Sequence, residues 1–339
     1  MKSKLLLTLL AFALCAAMNV AVEAQDKAPE KGKDAAAAPK LSDDEARQAD
    51  KMNKATTVAE KTKLGVEFIK KFKKNTAYRP KIAEYLSNQI FNEKDPVAKV
   101  QAAQLFIANF DQPGEADTVK PALIDGYVSG GKFDEAFSEG EKYIAAHPDD
   151  VFVATSLGFN GVLQLQKQGA SFKYAKASNE YLTKAVELLE QDKKPEKVEK
   201  EFWNSYRNSW LPKLYQGQGV LLFSTNEKPK SKELFEKAFG FEPNDVVTLN
   251  FLVTLTYDDY TVLAQKYQTE KKSALMDQAV AKMDELIDYL ARATAATEGN
   301  AQYAQANGEF KGQLKQYYEF RFPGKAAEMQ ALIDKYKKK

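Results

Sequence analysis

Apolar residues recur along most of this chain every three or four positions, the spacing that gathers them on one face of an α-helix. Leu64, Phe68 and Phe72 form one such stripe, with Lys70, Lys71, Lys73 and Lys74 around them. Ile82, Tyr85, Leu86 and Ile90 form the next, just after Pro80, whose fixed φ suits a first helical turn. Val97, Val100, Ala103 and Ile107 mark a third helix over 96–110, and DQPGEAD separates it from one beginning near Thr118. Further helices are predicted over 152–168, 174–189, 202–223, 231–239, 246–267 and 275–290. Tyr303, Phe310, Leu314 and Tyr317 make a heptad-like face, and 326–336 reads as a short capping helix before Lys337, Lys338 and Lys339. The stretch VVTLNFLVTLTY (246–257) is β-branched and has strand propensity. Its continuation to Tyr267, and Asp245 as an N-cap, predict a helix instead. Ser42 and Glu45 form a capping box in SDDE, which sets the start of order there.

Two of these helices end alike. GKFDEAFSEGEKYIAAHPDD closes at Asp150 and PKSKELFEKAFGFEPND at Asp245, with Glu141 and Glu236, Lys142 and Lys237, and Pro148 and Pro243 in register. A repeated helix-turn unit is the mark of a solenoid, whose units bury their apolar faces on one another. In the window 117–150, Leu123 and Tyr127 precede the turn at Gly131 and Phe133, followed by Ala136 and Pro148. In the window 212–245, Tyr215, Gly219 and Leu222 precede Ser231, Phe235, Ala238 and Pro243. Small residues let paired helices approach, large ones fill the holes, and proline ends the second helix. On these residues the chain resembles the tetratricopeptide repeat family. The resemblance implies an all-α, right-handed superhelical solenoid of antiparallel helix pairs, about five pairs plus the C-terminal capping helix. Ile124 and Tyr143 depart from the family's glycine and alanine. Pro148, Pro195 and Pro243 are spaced by 47 and 48, against a family period of about 34.

Composition narrows the class. Of 339 residues 44% are hydrophobic, and Gly (17) and Pro (12) are sparse, which favours long helices. A formal charge of +2 makes nucleic acid an unexpected partner.

Residues 1–24 read as a signal peptide, with Lys2 and Lys4 before an apolar run and Val22, Glu23 and Ala24 at the cleavage site, so the mature chain would begin at Gln25. Two alternatives stay open: an uncleaved anchor over 5–22, and a lipid on Cys15, although Leu14 stands where a lipobox wants a small residue. Residues 25–41 read as a flexible linker and 42–339 as the repeat domain. The expected location is the periplasm, or the exterior if the chain is secreted, with no stable membrane insertion after cleavage. Cleavage removes Cys15, the one cysteine, and with it any disulfide, thiol nucleophile or cysteine-held metal.

Candidate chemistry is thin. The one histidine, His147, precedes Pro148 and reads as an exposed turn residue. Asp43-Asp44 and Asp149-Asp150 stand at helix starts, and Asp258-Asp259 diverge by about a hundred degrees on a helix. GYVSGGK (126–132) follows no strand and fits a helix-pair turn better than a phosphate loop. The lysines 70–74 read as a solvated helix end, with an anionic surface as the rival. No catalytic residue, cofactor or metal is therefore expected. The strongest candidate is FWNSYRNSW, where Trp203, Tyr206, Arg207 and Trp210 sit on one long helix with Phe202, Asn204 and Asn208 among them. Either these rings pack the core or they form a recognition patch. The function expected is a non-catalytic interaction scaffold of the bacterial cell envelope, taking a peptide or partner protein in a concave groove. The alternative is a periplasmic binding protein for glycan or cell-wall fragments that uses the aromatic patch.

Overall fold

The computed structural model describes residues 41–73, 77–165 and 172–337. The expected leader with Cys15, most of the linker 25–41, Lys74, the stretch 166–168 of one predicted helix, and Lys338 and Lys339 lie outside the described residues. The described residues are all-helical, with no strand among them. They hold fourteen α-helices, more than five pairs and a cap would supply. The stretch 246–257 is helical, as its length predicted, because packing on both sides outweighs β-branched propensity. Two compact units divide at Asn160 and Gly161.

The first unit contains α1 (Asp43–Lys54), α2 (Val58–Lys71), α3 (Arg79–Asn92), α4 (Pro96–Ile107), α5 (Lys120–Ser129), α6 (Phe133–Ala146) and the start of α7 (Val151–Leu165). Local chemistry sets its helix starts. The Ser42 hydroxyl accepts from the Glu45 N–H, and the Glu45 carboxylate accepts from the Ser42 N–H, which completes the predicted capping box. Asp95 accepts from the Val97 and Ala98 amides, with Pro96 at the first helical position. Asp150 does the same for Phe152 and Val153. Arg79 forks onto Glu115 and Asp111, which ties the start of α3 to the connection before α5. Val100 of α4 lies so close to Gly126 of α5 that a Cβ there would stand 2.8 Å from its Cγ2.

The second unit holds the rest of α7, then α8 (Ala175–Glu190), α9 (Lys200–Ser224), α10 (Lys228–Phe241), α11 (Val246–Glu270), α12 (Ser273–Thr297), α13 (Ala304–Arg321) and α14 (Ala326–Tyr336). Its contacts sort most of these helices into two layers. In one, Gln216 of α9 donates to Thr248 of α11, Phe223 meets Phe251 edge-on at 5.1 Å, and Tyr257 of α11 meets Tyr317 of α13. In the other, Lys237 of α10 pairs with Glu190 of α8, and Lys232 with Glu285 of α12. Phe239 stands edge-on to Tyr289, and Arg292 of α12 covers the Tyr336 ring of α14. Between the layers Phe235 of α10 lies fully buried, stacked on Phe251 at 4.4 Å. Gly219 of α9 faces that ring, and the Ser231 hydroxyl donates to the Gly219 carbonyl. This is the close approach that small residues at these two positions predicted.

Candidate functional site

The aromatic run lies in the first half of α9, and the structure divides it. Trp203 is 1% exposed, and its Nε1–H donates to the Asp192 carboxylate at 2.6 Å. Asp192 adopts a left-handed backbone (φ 52°) just beyond the end of α8, so the indole fastens the α8–α9 connection. Arg207 donates to the Leu189 carbonyl at 2.7 Å, which also accepts from the Asp192 N–H, so the end of α8 is held by backbone and side chain together. Tyr206 is buried, with ring centroids 6.4 Å from Trp203 and 6.0 Å from Trp210. Trp210 itself is partly exposed beneath the Lys213 ammonium, 5.3 Å from the ring centre. Trp203 and Arg207 thus bind the helix junction, while Trp210 stays partly exposed.

A second aromatic group comes together from two helices. Tyr257 and Tyr260 lie one turn apart on α11, and both face Tyr317 of α13, at 6.1 and 6.4 Å between centroids. All three rings are partly exposed. Burial pushes the Tyr317 phenol up to about 12, helped by Tyr257, whose side chain is hydrogen-bonded to it. Burial likewise raises Tyr260 above the ordinary phenol value. These phenols stay neutral at any physiological pH and can both donate and accept hydrogen bonds. Phe320, one turn beyond Tyr317, is 71% exposed. In the sequence Tyr303 and Tyr317 share a stripe with Phe310 and Leu314. Only the latter two are fully buried; Tyr303 lies in the turn before α13 and, like Tyr317, is partly exposed. The signal available beforehand was the i, i+3 tyrosine pair on α11, which gains its partner only from a helix 57 residues on (Tyr260 to Tyr317).

No family model matches the chain, and no curated protein matches it. Its chemistry is therefore read from the residues. His147 is partly buried rather than fully exposed: its ring lies 4.5 Å from Tyr143, and Nε2 stands 3.5 Å from Asp117. Lys120 holds the Asp117 carboxyl below its ordinary range, chiefly through a hydrogen bond. Asp258 and Asp259 do not face each other but pair with Lys228 at 2.7 Å and Lys232 at 2.8 Å. Among the described residues no group of three or more His, Cys, Asp or Glu could hold a metal.

Proposed function

We propose that this chain is a non-catalytic interaction scaffold of the bacterial cell envelope. Its helix pairs stack as a right-handed superhelical solenoid of the tetratricopeptide kind, exported to the periplasm by its leader. The partner is a peptide or protein segment that lies across α11 and α13. One observation carries the reading: Tyr257, Tyr260 and Tyr317 form a partly exposed cluster held by two helices. Rigid tyrosines give large contact area and hydrogen bonding with little side-chain ordering on binding. The glycan alternative relied on Trp203 together with Trp210. With Trp203 in the core, a single tryptophan remains for it, and the peptide reading is preferred.

Site-specific photo-crosslinking in the native envelope tests this. A photoreactive residue at position 260 should capture a discrete partner that the same residue at the exposed position 311 does not. Tyr317→Ala should abolish the adduct, weakening binding by about 2 kcal/mol. Equal capture at both positions, or an adduct indifferent to Tyr317, would remove the basis for the proposal.

A further inference from the structure

Charge in the first unit is strongly segregated. From Lys51 to Lys81 the sequence carries ten Lys or Arg against two Glu. From Asp111 to Asp150 it carries ten acids against three Lys, in a chain whose formal net charge is only +2. Part of the basic segment is neutralised locally: Lys54 by Asp50, Lys71 by Asp44, and Arg79 by Asp111 and Glu115. Lys63, Lys70, Lys73 and Lys81 are exposed and form no ion pair among the described residues.

Their placement is local. Lys63 and Lys70 are two turns apart on one face of α2. Lys70 lies in the last turn of α2, Lys73 follows it, and Lys81 lies in the first turn of α3, so these three occupy one end of the α2–α3 hairpin. Two aromatic rings share that end. Lys71 stands 5.0 Å from the Phe72 ring centre and Lys81 5.5 Å from that of Tyr78, and both rings are partly exposed.

We propose that this end of the α2–α3 hairpin docks on the surface of an anionic bilayer. The lysines meet lipid phosphates, and Phe72 and Tyr78 rest at headgroup level, the depth that amphipathic rings favour. Lys70 and Lys71 in the last turn of α2 suit its dipole, but Lys73 beyond that turn and Lys81 at the start of α3 have no such role.

Co-sedimentation of the chain as recovered from cells, with vesicles of phosphatidylcholine alone or mixed with phosphatidylglycerol, tests the proposal. Any apolar leader still attached binds both kinds alike, so the increment due to phosphatidylglycerol reports the patch. That increment should appear and should shrink as salt is raised. The triple variant Lys70→Glu, Lys73→Glu, Lys81→Glu should lower it about a hundredfold, at roughly fivefold per lysine removed. A control triple, Lys266→Glu, Lys311→Glu, Lys315→Glu, should keep it. If circular dichroism shows that the first triple does not fold, the Lys→Gln set at the same positions replaces it. No increment, or equal loss in both triples, overturns the proposal. So does a DNA duplex or an acidic peptide that is bound as tightly as the vesicles through the same lysines.

Discussion

Replacing Gly219 by alanine should destabilise the protein, although the same replacement at Gly312 should stabilise it. Both glycines lie inside helices, α9 and α13. Each substitution therefore gains about 1 kcal/mol of helix propensity. The surroundings differ. A Cβ at Gly312 meets no heavy atom within 4 Å, whereas one at Gly219 would stand 2.9 Å from Cε2 of Phe235 and 3.0 Å from its Cζ. That ring is not a flexible side-chain end that can swing aside. It is fully buried and stacked on Phe251, which is in turn held edge-on by Phe223. Forcing such a core apart costs about 1–3 kcal/mol. The net effect at Gly219 is then a loss of up to about 2 kcal/mol, and the gap between the two variants about 1–3 kcal/mol. Urea unfolding followed by circular dichroism, with slopes compared to check that the denatured states match, measures that gap. If Gly219→Ala is as stable as Gly312→Ala, the helices do not approach at Gly219, and the register in which α9 meets α10 is wrong.

Three further outcomes are expected. With Trp210→Phe, the remaining Trp203 should emit at short wavelength and resist iodide, whereas Trp203→Phe should leave a quenchable Trp210; equal quenching would contradict the burial of Trp203. Asp192→Ala strands the indole N–H of Trp203 and should cost about 1–3 kcal/mol, while Asp192→Asn, which keeps an acceptor and tolerates the left-handed backbone, should cost less in the same urea titration. Tyr215 first, then Lys237, hold the Glu190 carboxyl below its ordinary range. The stability this brings is present above the unfolded value of about 4.3 and is lost as pH falls through the lower folded value. Glu190→Gln should therefore flatten the acid limb of the stability curve by about 1 kcal/mol at most, the carboxylate being partly solvated; an unchanged limb would show that the bond to Tyr215 carries no linkage.

How far the chain could be read without a structure varies element by element, for physical reasons. Two helix starts were legible because their causes are local: Ser42 with Glu45, and Asp245 before Val246, each satisfy amides within four residues. The close approach at Gly219 was partly legible, since a missing side chain inside an apolar stripe announces a neighbour without naming it, whereas the one at Gly126 emerged only from the structure. The roles of Trp203, Tyr206, Arg207 and Trp210 were not. The i, i+4 spacing puts Tyr206 and Trp210 on one face, but whether another helix covers that face depends on where the chain returns. For Trp203 the deciding partner is Asp192, eleven residues earlier in a turn with no apolar periodicity.

The tyrosine cluster lies further still from sequence reasoning. Nothing in α11 or α13 alone distinguishes Tyr317 from Phe310, because both occupy the same stripe. The sequence by itself thus determined the all-helical class, the caps that start helices and the small residues that let them pack. Those properties arise from backbone hydrogen bonding and side-chain volume within a few turns. Which rings are buried, which reach solvent, and which tyrosines meet were decided only by tertiary packing, because burial belongs to pairs of helices far apart in the chain.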